Sequence, residues 1–148
     1  MYTQRSVIIP RPVDDVFTFL GSPENWPLIE AGLLEYTHLA GPRGELGAIY
    51  LSRQERRGRI VESRMQVTEY APNQIITVEG DWANGVRPGG GFSVESVAGS
   101  TKVTTFVKVG TRGVARLVVP LMAPMFARSL DAILKNLKRV LAQQGAQV

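Results

Sequence analysis

Arg59-Ile60-Val61-Glu62-Ser63-Arg64-Met65-Gln66-Val67-Thr68-Glu69-Tyr70 runs into Ala71-Pro72-Asn73 and then Gln74-Ile75-Ile76-Thr77-Val78-Glu79-Gly80-Asp81-Trp82. Both runs alternate with a period of two, the spacing of a half-buried strand. In the first, Val61, Ser63, Met65 and Val67 face one way and Glu62, Arg64, Gln66 and Thr68 the other. In the second, Ile76, Val78, Gly80 and Trp82 oppose Thr77, Glu79 and Asp81. A short Pro-Asn link between two such runs makes an antiparallel pair with one dry face.

Working outward, the same period covers most of Leu33 to Arg112. The expected strands are 33 to 39, 46 to 56, 59 to 70, 74 to 82, 91 to 97 and 101 to 110. They are separated by Gly-Pro-Arg-Gly, Arg-Gly, Ala-Pro-Asn, Asn-Gly-Val-Arg-Pro-Gly-Gly and Ala-Gly-Ser, all turn-forming compositions. Residues 2 to 9 supply an opening strand that stops at Pro10. Two short helices follow it. Pro12 suits a first helical position, with Asp14 and Asp15 at the positive end and Val13, Val16, Phe17 and Leu20 at helical spacing, and Gly21 ends this helix. Ser22 as N-cap and Pro23 at the first position open the second, which carries Trp26, Leu28 and Ile29 and stops at Gly32.

From Val114 to about Ala142 the spacing is helical again. Leu130, Ile133, Leu134, Leu137 and Leu141 form a stripe opposite Arg128, Lys135, Lys138 and Arg139, and this stripe must cover the dry face of the sheet. The lead-in, Val114 to Phe126, is apolar nearly all round, and Pro120 and Pro124 predict a kink there. The expected fold is α+β: a curved seven-stranded antiparallel sheet around a long C-terminal helix, with two short helices after the first strand.

The 148 residues are expected to form one domain, 1 to 148, without linker or repeat. With no cysteine, disulfides, thiolate metal sites and cysteine nucleophiles are excluded, which suits a reducing cytoplasm. The N-terminal apolar run is too short for a signal peptide, so the mature chain is expected to start at Met1. The Val114 to Phe126 stretch holds Arg116 and two prolines and falls short of the roughly 20 residues that span a bilayer, so no transmembrane segment is expected. Net charge is +4, but the cations are scattered. The densest group, Arg53 to Arg59, sits at a hairpin and reads as a solvated turn, so no specific nucleic-acid partner is expected.

Local motifs resemble a known family in order along the whole chain. Pro10-Arg11-Pro12-Val13-Asp14-Asp15-Val16-Phe17 is similar to its opening turn into helix, and Ser22-Pro23-Glu24-Asn25-Trp26-Pro27 to its second short helix. Val67-Thr68-Glu69-Tyr70-Ala71-Pro72-Asn73, Gly99-Ser100-Thr101-Lys102-Val103-Thr104 and Leu134-Lys135-Asn136-Leu137-Lys138 match its later turns and closing helix. The chain thus resembles the START-like, helix-grip superfamily (SRPBCC), nearest the polyketide cyclase/dehydratase-like branch. The resemblance implies a ligand cavity between sheet and C-terminal helix. It does not imply a reaction, since the family holds carriers, lipid-transfer domains and aromatic cyclases alike.

Cavity-lining expectations fall on Trp26, Tyr50, Ser63, Met65, Trp82, Phe92, Thr105, Leu121, Met122, Met125 and Phe126, because aromatics and thioethers adapt to irregular apolar guests. Ser63, Tyr50 and Thr105 would bond either a ligand or one another. No catalytic residue is assigned. His38 is the single histidine and reads as exposed, Glu79 and Asp81 fall on the wet face, and Tyr50 alone would need strong activation to act as a base. No metal and no cofactor are expected. Three functions remain open. One is a carrier or sensor of a small hydrophobic or aromatic ligand such as a lipid, polyketide or isoprenoid. The second is a cyclase or dehydratase acting on a polyketide-like chain, and the third an interaction module using Leu117 to Phe126. A monomer or weak homodimer fits each of them.

Overall fold

The computed structural model describes residues 1–146. Strand β1 (Tyr2–Ile9) is followed by helix α1 (Val13–Leu20) and a 3-10 helix (Pro23–Leu28). Next come β2 (Leu33–Ala40), β3 (Ile49–Arg56), β4 (Arg59–Ala71), β5 (Ile75–Gly80), β6 (Val86–Arg87), β7 (Gly89–Val97), β8 (Ser100–Lys108) and β9 (Gly110–Thr111). Helix α2 (Ala115–Val118), a second 3-10 turn (Val119–Met122) and the long α3 (Ala123–Ala146) end the chain. The main sheet is seven-stranded in the order β1-β8-β7-β5-β4-β3-β2, with every pairing antiparallel. The architecture is the α+β helix-grip arrangement expected.

Its turns have local causes. Arg57-Gly58 and Ala98-Gly99 join their hairpins with positive φ at both residues, the mirror-type turn whose twist matches the flanking strands. Strand β3 begins at Ile49, later than the expected residue 46, because Glu45 to Ala48 close a turn through Ala48 N–H to the Glu45 carbonyl at 3.0 Å. The stretch Asn84 to Gly90, expected as a turn-forming link, holds a tight turn at Asn84-Gly85 but then forms β6 and the start of β7. Gly90 and Gly91 lie inside β7 because a Cβ there would collide with the carbonyl oxygens of Phe106 and Ile76. Only glycine lets three strands pass that close where the sheet curls.

Helix α3 packs chiefly against β1 and also meets β8, while the first 3-10 helix packs on β2 at the opposite edge. The two edges are joined where Asn136 of α3 donates its side-chain amide to the Ile29 carbonyl at 3.0 Å. At the other end Arg11 donates to the Leu141 carbonyl at 2.7 Å, tying the start of α1 to the end of α3. Leu130, Ile133, Leu134, Leu137 and Leu141 are all buried, and Arg128, Lys135, Lys138 and Arg139 are exposed, as the stripe requires. By length and composition Ala115–Gln144 could cross a bilayer, but this stripe is spent on the sheet. Pro120 sits in the 3-10 turn that separates α2 from α3, which is the expected kink.

Burying each stripe residue contributes roughly 1.5–3 kcal/mol, so together they rival the about 5–15 kcal/mol net stability of a whole domain. Deleting the chain from Arg128 onward is therefore expected to unfold the protein. Circular dichroism with thermal melting checks this: a cooperative, strand-rich melt near the parent temperature would show the helix to be an accessory.

Candidate functional site in the gripped interior

The concave face of the sheet is lined by a continuous run of rings. Phe92 and Trp26 lie 5.4 Å apart, Trp26 and Tyr36 5.1 Å, Tyr36 and Tyr50 5.4 Å, and Tyr50 and His38 5.4 Å between centroids. These tilted and edge-on arrangements are the favoured ones for aromatic pairs. Trp26 is fixed from outside the sheet: its indole N–H donates to the Leu20 carbonyl at 2.9 Å, so one side chain closes α1 and fills the interior. Tyr50 is fully buried, and its hydroxyl accepts the Gly44 N–H at 2.8 Å. Burial and then the neighbouring Glu24 carboxylate push the Tyr50 phenol up to about 12, which removes it as a base at neutral pH.

Polar side chains enter this interior at few points. Register sets Tyr36 opposite Ser52 and Ser52 opposite Ser63, a rung across β2, β3 and β4. The Ser52 Oγ is buried and has no hydrogen-bond partner, an uncommon and costly condition. Thr105, by contrast, is satisfied within the sheet, donating to the Gly91 carbonyl at 3.1 Å. Beside the rung comes Glu30, from the turn after the first 3-10 helix. Burial raises its carboxyl above the ordinary range, and Arg56 offsets part of the effect. The Tyr36 phenol is raised too, by burial first and then by Glu30, which places the carboxyl close to that ring.

The expected lining residues separate into two groups. Trp26, Tyr50, Met65, Phe92 and Thr105 are buried on the concave side, with Ser63 and Phe126 half-buried. Trp82 is not among them. Strand β5 ends at Gly80, whose N–H is taken by the Pro88 carbonyl at 2.8 Å, so Trp82 leaves the sheet and lies exposed with the Arg112 guanidinium 3.7 Å above its ring. Leu121, Met122 and Met125 are also exposed, because the second 3-10 turn and the first turn of α3 carry them on their outer side. His38, expected at the surface, is half-buried against Tyr50, with Nε2 2.7 Å from the Gly41 carbonyl. Tyr36, Ser52 and Glu30 were not anticipated. Alternation through Tyr50 and Ser63 could have pointed to Ser52, but nothing periodic marks Glu30 on its turn.

An enclosed apolar cavity was expected, yet the rings occupy much of that space. The two clefts that stand out among the described residues open at the surface. One, of about 380 Å³, is lined by Met1, Glu79, Trp82, Arg87 and Lys108, and one of about 250 Å³ by Phe17, Ser22, Tyr70 and Asn73. In the first, Glu79 is engaged by Arg87 at 3.2 Å, Lys108 at 3.8 Å and Thr68 at 3.1 Å, so its charges are already matched. Among the described residues no group of three or more histidine, aspartate or glutamate side chains converges as metal ligands would.

Residues 3–142 match the sequence profile of a family described as polyketide cyclase/dehydrase and lipid transport. No curated protein matches the chain in sequence. Among solved structures, a START superfamily protein from Mycobacterium smegmatis superposes with a TM-score of 0.77 at 15% identity, covering 97% of this chain and 98% of that one. The Zhui aromatase/cyclase from Streptomyces sp. R1128 gives 0.69 at 15% identity, over 95% of each chain. The di-domain aromatase/cyclase StfQ of the steffimycin biosynthetic pathway gives 0.77 at 11% identity, over 99% of this chain and 52% of that one. At such identities the likeness is one of fold.

Two substitutions probe the interior. Ser52→Ala removes an unpartnered hydroxyl, so stability in urea should hold or rise by about 1 kcal/mol, and a clear loss would mean that Ser52 has a partner. Glu30 has a folded-state pKa above its unfolded value, so its contribution is full below the unfolded pKa and is lost as pH rises through the folded one. Relative to Glu30→Gln, the wild type should lose stability from mildly acidic towards neutral pH. Parallel stability curves for the two proteins would contradict that burial.

Proposed function

Because the chain belongs to the polyketide cyclase/dehydrase and lipid transport family, we propose that it binds a small apolar or aromatic molecule, such as a lipid, polyketide or isoprenoid, between the sheet and α3. It would act as a carrier or sensor. The observation that carries this reading is the Ser52 Oγ, buried and unpaired in an otherwise ring-lined interior. A guest with one hydroxyl or carbonyl group would satisfy it, while the body of the guest meets Trp26, Tyr36, Met65 and Phe92. Mostly apolar walls with a few placed polar groups are the usual composition of small-molecule sites. Admission requires some of the rings or the α2 segment to move aside, a cost that binding must exceed.

A second reading rests on Glu30. A cyclisation or dehydration on a polyketide-like chain needs a proton donor, and burial, which raises the Glu30 pKa, favours the protonated form that could serve as one. The aromatase/cyclase activities in the names of two structural neighbours make this chemistry the natural alternative. In that case Glu30 would donate the proton, and Tyr36 beside it would orient the substrate.

Native mass spectrometry of freshly purified protein asks whether a small molecule comes along, and titration with a hydrophobic dye asks whether one saturable site exists. Ser63→Trp, placed on the same rung as Ser52, should occupy the space and weaken dye binding roughly tenfold or more while the fold is kept. Unchanged affinity would place the site elsewhere. A retained molecule that emerges unaltered supports the carrier, whereas conversion that stops in Glu30→Gln supports the enzyme.

A further inference from the structure

Helix α3 spends its second half on the sheet, but the segment leading into it does the opposite. Val114, Leu117, Val118, Leu121, Met122 and Met125 are all exposed, Leu117 at 77% and Leu121 at 79%. Their spacing of three, four, seven, eight and eleven residues puts them on one helical face, about 16 Å long. Only Val119 of α2 and the 3-10 turn is buried, and Ala127 is the next buried residue. Single exposed leucines need no account, whereas a contiguous apolar ridge marks something that covers it.

Charge around the ridge is one-sided. Between Glu95 and Asp131 the chain has no acidic residue; Lys102 and Lys108 lie on β8, Lys108 already paired with Glu79, and the ridge segment and its flanks carry Arg112, Arg116 and Arg128. Arg112, Arg116 and Arg128 are exposed, and Arg128 follows the apolar face by one turn. Asp131, the first carboxylate beyond, is already paired with Arg5 at 3.4 Å. A symmetric contact between two copies through this face would set arginines against arginines with no carboxylate in the segment to neutralise them. An anionic lipid surface meets both demands at once: its acyl region takes the leucines and methionines, and its headgroups take the guanidinium groups, whose long stems reach up from an apolar ridge.

We propose that Val114 to Arg128 is a membrane-docking ridge that seats the protein on anionic lipid surfaces. The interaction is peripheral, since the remainder of α3 stays on the sheet. Pro120 suits this role: it sits in the 3-10 turn that divides α2 from α3, so the lead-in can lie in an interface without drawing the core stripe along.

The test is co-sedimentation of the intact chain with vesicles of phosphatidylcholine alone and of phosphatidylcholine mixed with phosphatidylglycerol. Binding is expected to the anionic vesicles, to weaken as salt rises, and to be slight on the neutral ones. Leu117→Glu with Leu121→Glu should lower the partition coefficient roughly tenfold or more with an unchanged melting temperature, because both side chains are exposed in the free protein. Arg116→Gln with Arg128→Gln should remove most of the preference for the anionic vesicles. Failure to bind the anionic vesicles, equal binding to both compositions, or equal binding by the leucine variant overturns the proposal. So does a concentration-dependent dimer that disappears in the leucine variant while vesicles stay unbound, since the ridge would then be a self-association surface.

Discussion

Every other feature depends on the contact between the leucine stripe of α3 and the first strand. The sheet runs from β1 at one edge to β2 at the other, so its concave face has no strand to close it. Val7 and Ile9 of β1, Val103 of β8 and the stripe from Leu130 to Leu141 meet in one core, which α1 and the first 3-10 helix complete through Val16, Leu20 and Ile29. Because these contacts join residues 2 to 9 with residues 130 to 141, they can form only when the whole chain is in place. The curl of the sheet serves the same contact. Glycines at 90 and 91, and register shifts in β2 and β4, bend the strands round far enough for a single helix to lie against one edge and be tied to the other.

The interior chemistry follows from that closure. Trp26 and Glu30 belong to the short connection between β1 and β2, the two edges of the sheet, and they enter the space beneath α3 because the connection must cross it. Asn136 secures the crossing at the Ile29 carbonyl, one residue from Glu30. The raised pKa of Glu30 is thus a consequence of where the connection is pinned rather than of any strand pattern. Ser52 differs in kind. It lies in regular alternation, and only the neighbours brought by β2 and β4 leave its hydroxyl without a partner.

Two characters share the C-terminal helical stretch. Beyond Ala127 the large apolar residues are confined to one stripe and are mostly buried; before it Val114, Leu117, Val118, Leu121, Met122 and Met125 share an outer face and are exposed. Pro120 lies within the exposed part, in the 3-10 turn that divides α2 from α3. Trp82 shows a similar division at the end of β5: the strand pattern would carry it inward, but the pairing of Gly80 with Pro88 and Arg87 turns the chain out, and the ring settles against Gly110 and Arg112.

Local pattern was enough for the elements. Alternation from Val61 to Val78, turn residues at Arg57-Gly58 and Ala98-Gly99, and the stripe from Leu130 to Leu141 depend on neighbours a few residues away, so the sequence by itself determined seven strands, their order along the chain and the helix that covers them. Which inward-facing residues would share a site was another matter, because that rests on contacts between residues far apart in the chain, such as Trp26 with Phe92 and Asn136 with Ile29. The tertiary structure alone decided that Trp26 meets Phe92, that Glu30 is desolvated beside Tyr36, and that Ser52 is left unpaired. It also decided that Leu121, Met122 and Met125, apolar enough for any core, are exposed. The reason is that periodicity tells which side of an element is apolar, whereas only the assembled neighbours tell what that side faces.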